Sequence, residues 1–257
     1  MATRRSSSRR PLTRVSAEPA YVLHRYDWSE SSLILDLFTR AHGRVAVVAK
    51  GAKRPYSQLR PVLLPFQRLL ASYTVGDAEV HTLRGADWGG GPAMLTGAAL
   101  LTGFYLNELL MKLLARDDPH PGLFDAYAQT LPSLALGDDG AVQAALRAFE
   151  LTLLRGIGVL PELSVETLTQ RPLLPAQRYR LEGEAGVLRA SGGEATLRGE
   201  TLLALEEALG GESLAALQQA CASALPELKG ALRAVLHYHL GSPQLRTRQL
   251  MMELVQK

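Results

Sequence analysis

Five short, apolar-rich runs fall within residues 20–83, and residues that favour turns separate them. Apolar runs of this length between turn signals such as His42-Gly43 and Gly76-Asp77 are typical of β-strands. An open sheet of such strands would leave unpaired edges, so we expect the strands to close into a small β-barrel. The runs cover residues 20–25, 32–39, 44–50, 66–73 and 79–83.

Helical periodicity replaces these runs after GADWGGGP, residues 85–92, a composition typical of a linker. No Gly-Lys-Ser/Thr follows it, which excludes a phosphate-binding P-loop. Residues 93–115 are apolar enough for a membrane span, but Glu108 and Lys112 at i,i+4 favour a buried helix carrying a surface pair. Between residues 164 and 199 the helical pattern lapses, and RYRLE and VLRAS predict a small β-hairpin. Further helices are predicted over residues 122–134, 140–155, 201–208, 213–224, 227–240 and 245–255.

Charge is distributed unevenly along the chain. The formal net charge is +3, but residues 1–84 hold 14 basic against 6 acidic residues, and residues 85–257 hold 14 against 19. Residues 40–76 contain seven basic side chains and no acidic one. A field of one sign attracts polyanions and steers them in from solution. A solvated basic face that aids solubility is the alternative, and charge alone leaves both open.

The sequence carries no signature of catalysis. It lacks HExxH, GxSxG, a dinucleotide-binding glycine fingerprint and a DxD carboxylate cluster. His237 and His239 face apart at i,i+2 on a helix, which is poor geometry for a metal. The single cysteine, Cys221, excludes an intrachain disulfide and any zinc site that needs two thiolates. These absences favour a non-catalytic binding protein, with a magnesium-dependent nuclease built from dispersed carboxylates as the competing class.

Aromatic residues accompany the basic part of the chain. A small barrel with basic loops binds single strands by combining phosphate attraction with base stacking. The candidates for stacking are Tyr26, Trp28, Tyr56 and Tyr73. Tyr56 is the strongest because it lies among cations in a predicted loop, whereas core packing explains Tyr73 better. An RNA-binding barrel is the alternative within this class.

The first residues, MATRRSSSRRPLTR, combine arginines with no apolar segment, so a secretory signal is not expected. We expect a flexible basic arm over residues 1–18, with an Arg/Ser-rich transit peptide as the alternative. Such an arm would add nonspecific grip on nucleic acid through Arg4, Arg5, Arg9, Arg10 and Arg14.

The run YVLHRYDWSESSLILDLFTRAHGRVAVVAKGAKRPYSQLRPVLLPFQ, residues 21–67, closely resembles the opening of the RecO family, the bacterial recombination mediators of the RecFOR pathway. YLNELLMKLL at residues 105–114, LRAFELTLLRGIG at residues 146–158 and the closing LHYHLGSPQLRTRQL are also similar to that family. The resemblance covers the chain from about residue 19 onward. Its most specific block extends from Ser29-Glu30 to Lys50-Gly51-Ala52.

The resemblance implies an α+β multidomain protein. An N-terminal OB-fold β-barrel is expected over residues 19–86 and a helical domain over residues 93–257, with residues 164–199 as a hairpin-containing insertion. It also implies a non-catalytic mediator of DNA repair and recombination that binds single- and double-stranded DNA and anneals complementary strands. The family binds the C-terminal tail of single-strand DNA-binding protein and, with RecR, helps load RecA. The implied location is the bacterial cytoplasm at the nucleoid, without a membrane partner.

Candidate site residues follow from charge and family together. The helical-domain candidates would hold the acidic, phenylalanine-ended tail of single-strand DNA-binding protein, because a cation beside an apolar groove suits a carboxylate and a phenyl ring. For Arg147 the alternative is a surface arginine that pairs with Glu150 or another neighbouring residue. The DNA candidates are Arg44, Lys50, Lys53, Arg54, Tyr56 and Arg60, and the tail candidates are Arg147, Leu151 and Arg155.

One departure from the family concerns zinc. Many members carry four cysteines after the segment that corresponds to residues 146–158 and form a structural zinc site. Residues 161–193 of this chain contain no cysteine. We therefore predict that no cofactor is bound and that packing and backbone pairing hold the hairpin.

Overall fold

A computed structural model describes residues 13–91, 93–191, 196–211, 213–241 and 245–255. The described chain divides into two compact units. The first contains the residues up to Gly91 together with Ala115–Pro119, and the second contains those of Pro92–Leu114 and His120–Lys257. Each unit has its own hydrophobic core.

The first unit is a closed five-stranded barrel in the order β1-β2-β3-β5-β4. β3 and β5 are parallel and every other neighbouring pair is antiparallel, with β4 closing onto β1. This topology confirms the expected OB-fold barrel. The strands are β1 (Thr13–Asp27), β2 (Leu33–Thr39), β3 (Gly43–Ala49), β4 (Leu69–Val75) and β5 (Val80–Trp88).

One long strand closes the barrel. The first half of β1 pairs with β4 and its second half pairs with β2, and both partners meet it at Ala20. Irregularities between Val15 and Glu18 and between Val22 and His24 bend the strand so that it serves both neighbours. Burial on the inward face forms the core, which includes Val22, Leu35, Leu37, Val45, Val47, Leu69 and Tyr73.

The barrel strands extend beyond the apolar runs that predicted them. β1 begins at Thr13, inside the expected arm, because Thr13–Val15 pair through the backbone with β4 while their side chains stay largely exposed. β5 continues through Gly85 to Trp88, inside the expected linker, because Gly85 lies opposite Ser72 in β4. Ladder hydrogen bonds depend on the partner strand, so composition does not reveal these extensions.

The segment Ala115–Pro119 belongs to the barrel unit although it follows the first helix. The amide of Asp117 donates to the carbonyl of Arg44 at 3.0 Å. Gly43 has φ +67°, and a Cβ there would lie 1.9 Å from the carbonyl oxygen of Asp118. Glycine is therefore required at the β2–β3 turn both by backbone conformation and by this close approach.

The second unit is helical and carries a small sheet, as predicted. A buried aromatic pair marks its core: Tyr127 meets Phe149 edge-on with centroids 6.0 Å apart, and its hydroxyl donates to Asn107 Oδ1 at 2.6 Å. The helices are α1 (Gly97–Leu113), α2 (Pro121–Leu136), α3 (Asp139–Gly156), α4 (Gly199–Gly210), α5 (Leu214–Ala222), α6 (Leu225–Leu240) and α7 (Arg246–Val255).

The small sheet has the order β7-β6-β8. β6 (Arg178–Glu182) and β7 (Gly186–Arg189) form the predicted hairpin. The third strand, β8 (Leu197–Arg198), was not predicted because two residues give no periodic signal.

Within the described residues, no helix has the length and apolar character needed to cross a membrane. Glu108 of α1 and Lys112 form the expected pair, with Glu108 Oε1 and Lys112 Nζ 3.8 Å apart.

Candidate nucleic-acid interface

Two loops lie together at one end of the barrel. In the strand register, Asp27 at the end of β1 lies opposite Leu33, and Leu33 lies opposite Ala49 at the end of β3. The β1–β2 turn and the long loop after β3 therefore leave the barrel at the same end. The amide of Lys53 donates to the carbonyl of Ser31 at 3.0 Å and joins the two loops.

Tight turns fold the loop that follows β3. Gly51 has φ +73°, a left-handed conformation that glycine adopts without strain. Two turn hydrogen bonds come next in the chain. The amide of Arg54 donates to the carbonyl of Gly51, and the amide of Ser57 donates to the carbonyl of Arg54, at 3.1 Å each. Backbone groups satisfy one another in this way. The loop buries Ala52 and Leu63 in the barrel core and leaves Arg54 and Tyr56 exposed.

The loop cations differ in how fully they are engaged. Lys50, Arg54 and Arg60 are exposed, and no carboxylate of the described residues forms an ion pair with them. Lys53 is half-buried, and its ammonium lies 2.9 Å from Asp27 Oδ1. Tyr56 is 95 % exposed among these cations. These five residues, all predicted to contact DNA, lie on the loop between β3 and β4; Lys50 was expected at the end of the strand and instead begins the loop.

Arg44 differs from the other DNA candidates. Its side chain is 13 % exposed, and its Nε and Nη2 donate to the two oxygens of Asp36 at 2.8 and 3.0 Å. Asp36 is itself 1 % exposed, and Arg116 Nη2 lies 3.6 Å from its second oxygen. A guanidinium engaged in a bidentate pair with a buried carboxylate has little capacity left for a phosphate.

Arg25 is a cation of this surface that the sequence did not single out. A cleft of about 410 Å³ opens at the same end of the barrel, and its lining combines three cations with one acid. Arg25 Nη1 donates to the carbonyl of Leu63 at 3.4 Å, which holds the guanidinium at the cleft. The cleft is lined by Arg25, Asp27, Leu33, Ala52, Lys53, Arg60 and Leu63.

The remaining stacking candidates separate by burial. Tyr26 and Trp28 are exposed, and the Tyr26 ring meets His24 edge-on with centroids 4.4 Å apart. Tyr73 is fully buried in the barrel core, as core packing required. Burial, together with the charge of Glu18, raises the pKa of the Tyr73 hydroxyl well above its usual range. A base can therefore reach Tyr26, Trp28 and Tyr56 but not Tyr73.

The basic arm is described only at its end. Arg14 lies in β1 opposite Thr74. Arg4, Arg5, Arg9 and Arg10 lie outside the described residues.

The tail candidates lie on α3 and are more buried than expected. Arg147 is 7 % exposed, and its Nη2 lies 2.8 Å from Oε1 of the fully buried Glu150. The Tyr105 hydroxyl donates to the same oxygen at 2.6 Å. Leu151 is fully buried. Arg147 therefore pairs with Glu150, as the alternative interpretation proposed. The pair lies in the interior, however, and not on the surface.

Arg155 is the most accessible of these three. Its Nη2 donates to Glu206 Oε2 at 2.6 Å, and the same oxygen accepts the amide of Leu163 at 2.7 Å. Nearby, burial raises the pKa of the Cys221 thiol to about 12, with Arg147 lowering it and Glu150 raising it. Such a thiol is a core group, not a nucleophile.

Among the described residues, no group of three or more His, Cys, Asp or Glu side chains is placed to hold a metal ion. Residues 161–193 hold neither cysteine nor histidine, the usual nitrogen and sulfur ligands of zinc.

Comparison with known proteins covers both units. The family described as Recombination protein O N terminal matches residues 14–90, and Recombination protein O C terminal matches residues 94–249. The DNA repair protein RecO of Polaromonas naphthalenivorans (strain CJ2) is 59 % identical over 243 residues, covering 94 % of this chain and 97 % of that protein. The DNA repair protein RecO of Variovorax paradoxus (strain S110) is 56 % identical over 251 residues, with the same coverage. The predicted resemblance is confirmed, and the chain belongs to the RecO family.

Proposed function

We propose that this protein acts in DNA repair as a non-catalytic mediator that binds single-stranded DNA at the loop end of its barrel and anneals complementary strands. The observation that carries the proposal is the set of exposed cations Lys50, Arg54 and Arg60 without a carboxylate partner among the described residues. Exposed aromatic rings at Trp28 and Tyr56 complement them, because phosphate attraction and base stacking together bind a strand irrespective of its sequence.

Strand binding tests this proposal directly. A Lys53→Glu/Arg54→Glu variant should bind an oligothymidine more weakly, and its salt slope should fall by roughly 1.4, because each lost contact on a single strand removes about 0.7. The matched control is Arg84→Glu, which reverses a charge on β5 where Arg84 Nε donates to Thr74. A double variant with wild-type affinity and slope would contradict the proposal.

Two other classes are distinguished by the same protein preparation. Incubation of labelled DNA with the protein and magnesium should leave the strands intact, whereas cleavage would indicate a nuclease. Competition between DNA and RNA oligonucleotides of equal length should favour DNA, whereas a preference for RNA would indicate an RNA-binding barrel.

The mediator role extends to protein partners. We place the tail of single-strand DNA-binding protein against α3, with RecR as the partner for loading RecA, in the bacterial cytoplasm at the nucleoid. Arg155 is the candidate most available to the tail carboxylate, since Arg147 and Leu151 are buried. Annealing of complementary strands coated with single-strand DNA-binding protein tests DNA binding and this partner together. Peptide titration against Arg155→Gln isolates the tail, and wild-type peptide affinity would exclude the residue.

The hairpin segment is proposed to hold its shape without zinc. The Thr167 side chain accepts the amide of Val187 at 2.8 Å, and the Thr167 amide donates to the carbonyl of Val187 at 2.9 Å. Glu166 Oε1 also lies 3.3 Å from Arg189 Nε. These contacts join Glu166 and Thr167 to β7 and support the proposal that the hairpin is held without a metal. Metal analysis of the purified protein should find no stoichiometric zinc, and finding it would overturn the proposal.

A further inference from the structure

We propose that the cleft at the barrel end is a phosphate subsite in which Arg25, Lys53 and Arg60 hold one phosphate group of a nucleic-acid strand, and that Asp27 competes with this phosphate for Lys53. The proposal deepens the DNA-binding function stated above and rests on it. It assigns a role to Arg25 and Asp27, neither of which the sequence marked as a binding residue.

The lining of the cleft supplies the anion chemistry. Two arginines and one lysine line a cleft of about 410 Å³, within the range of small-ligand pockets. Guanidinium groups bind phosphate oxygens through paired N–H donors, and lysine adds a point charge. Leu33, Ala52 and Leu63 complete the lining with apolar surface, which suits the sugar attached to a phosphate.

The three cations are held in different ways. Arg25 uses one terminal nitrogen on the carbonyl of Leu63 and keeps its other donors for a ligand. Arg60 has no ion-pair partner among the described residues. Lys53 alone is paired, to Asp27 at 2.9 Å. A phosphate that enters the cleft must therefore share Lys53 with Asp27 or displace Asp27 from Lys53.

Asp27 is suited to yield Lys53. Its side chain is 83 % exposed, so it returns to water at low cost when the ion pair opens. While paired, it neutralises part of the cleft and repels an entering phosphate. Asp27 therefore lowers the affinity of the cleft for a strand.

An exposed ring on the same loop favours a strand as the ligand over a free anion. Tyr56 is 95 % exposed and lies between Lys53 and Arg60 in the chain, so a base next to the bound phosphate has a stacking surface on the loop that lines the cleft. Tyr26 takes no part, because side chains alternate along β1 and place it on the face opposite Arg25 and Asp27, against His24. A bound inorganic anion would make no use of the Tyr56 ring, which favours a phosphate within or at the end of a single strand.

The test compares charge-removing variants by fluorescence anisotropy on an oligothymidine over a range of salt concentrations. Arg25→Gln and Arg60→Gln should each weaken binding and lower the salt slope by about 0.7. Asp27→Asn should strengthen binding roughly two- to fivefold, since exposed ion pairs are weak. The gain should vanish in Asp27→Asn/Lys53→Gln, because Asp27 acts through Lys53. Arg84→Gln is the matched control on the barrel.

The source of the phosphate is distinguished by oligothymidines with a 5′-phosphate or a 5′-hydroxyl. A terminal-phosphate site predicts tighter binding of the phosphorylated strand and loss of that difference in Arg25→Gln. An internal-phosphate site predicts equal binding and an equal effect of Arg25→Gln on both.

Failure of the subsite is distinct from failure of the proposed function. If wild-type protein binds DNA while Arg25→Gln and Arg60→Gln behave like Arg84→Gln, or Asp27→Asn brings no gain, the subsite is wrong and DNA binding stands. If wild-type protein does not bind the strand at all, both are wrong.

Discussion

The basic side chains of the barrel loop and of α3 have the same chemistry but differ in exposure and in ion pairing. Arg54 and Arg60 are exposed on the loop, and no carboxylate of the described residues pairs with them. Arg147 is buried on α3 against Glu150. A cation on a turn-rich loop is solvated and available to a ligand, whereas one on the inner face of a helix must bring its counter-ion into the core. The position of an arginine in the fold, and not its charge, decides whether it is available to a ligand or stabilises the core.

The most severe way to test this contrast is to remove the buried cation. Arg147→Met leaves the Glu150 carboxylate in the core without its counter-ion, so the free energy of unfolding should fall by about 3 kcal/mol. Urea denaturation measures the change. Arg60→Met on the loop should stay within about 0.5 kcal/mol of wild type.

A double variant separates the ion pair from simple loss of packing. Arg147→Met/Glu150→Gln removes both charges and keeps an acceptor for the Tyr105 hydroxyl, so it should recover much of the lost stability. If Arg147→Met alone is as stable as wild type, the buried pair has no structural role.

Arg44 sharpens the contrast within the barrel itself. It lies in the same acid-free stretch of sequence as Arg54, yet it pairs with the buried Asp36. Arg44→Gln should lower the free energy of unfolding by about 2 kcal/mol, because Arg116 remains as a weaker partner of Asp36. Its salt slope for strand binding should equal that of wild type.

Arg54→Gln is the matched variant for this prediction. It should leave the free energy of unfolding unchanged and lower the salt slope by about 0.7. A reduced slope in Arg44→Gln at unchanged stability would place Arg44 in the DNA interface and contradict the structural role.

Two exposed tyrosines extend the comparison to uncharged residues. Tyr56→Ser on the barrel loop should weaken strand binding by about 1 kcal/mol through lost stacking, without a change in stability. Tyr238 on α6 packs on the hairpin, where a Cβ at Gly183 would lie 2.5 Å from its Cδ1. Tyr238→Ser should therefore lower the melting temperature and leave strand affinity unchanged. Fluorescence anisotropy measures the strand affinity and thermal melting measures the stability of both variants. A loss of stability in Tyr56→Ser together with a loss of affinity in Tyr238→Ser would contradict these roles.

The smallest effect concerns a carboxylate of the helical unit. Burial tends to raise the pKa of Glu108, but hydrogen bonds from the Thr247 side chain and from the amides of Thr247 and Arg246, with the charge of Lys112, hold it below its usual value. A lowered folded-state pKa means that Glu108 stabilises the fold above about pH 4.3, and that this stability is lost as pH falls through the folded-state pKa.

Glu108→Gln should therefore melt below wild type at pH 7, and the difference should shrink toward pH 3. Lys112→Gln is the control and should change this pH dependence less, because the charge of Lys112 contributes less than the hydrogen bonds at the start of α7. A constant difference between Glu108→Gln and wild type from pH 7 to pH 3 would contradict the prediction.

Local patterns in the sequence were enough for most elements of this fold. Apolar runs predicted β2 and β3 to within about a residue, and 3.6-residue periodicity predicted the helices, since both signals are carried by adjacent side chains. Turn-forming residues and cations around Gly51 likewise predicted a basic loop, because these signals are carried by neighbouring residues in the chain.

Tertiary structure alone decided which of those cations are available. Asp36 lies outside the acid-free stretch, yet the β2–β3 register places Arg44 within its reach. The meeting of β1 with the distant loop brings Arg25 to the cleft and Asp27 to Lys53. Both results depend on pairing between residues far apart in sequence, where no periodicity or composition records the partner. The sequence therefore determined where charge accumulates, and the closed barrel determined which of those charges are paired with a carboxylate and which stay exposed.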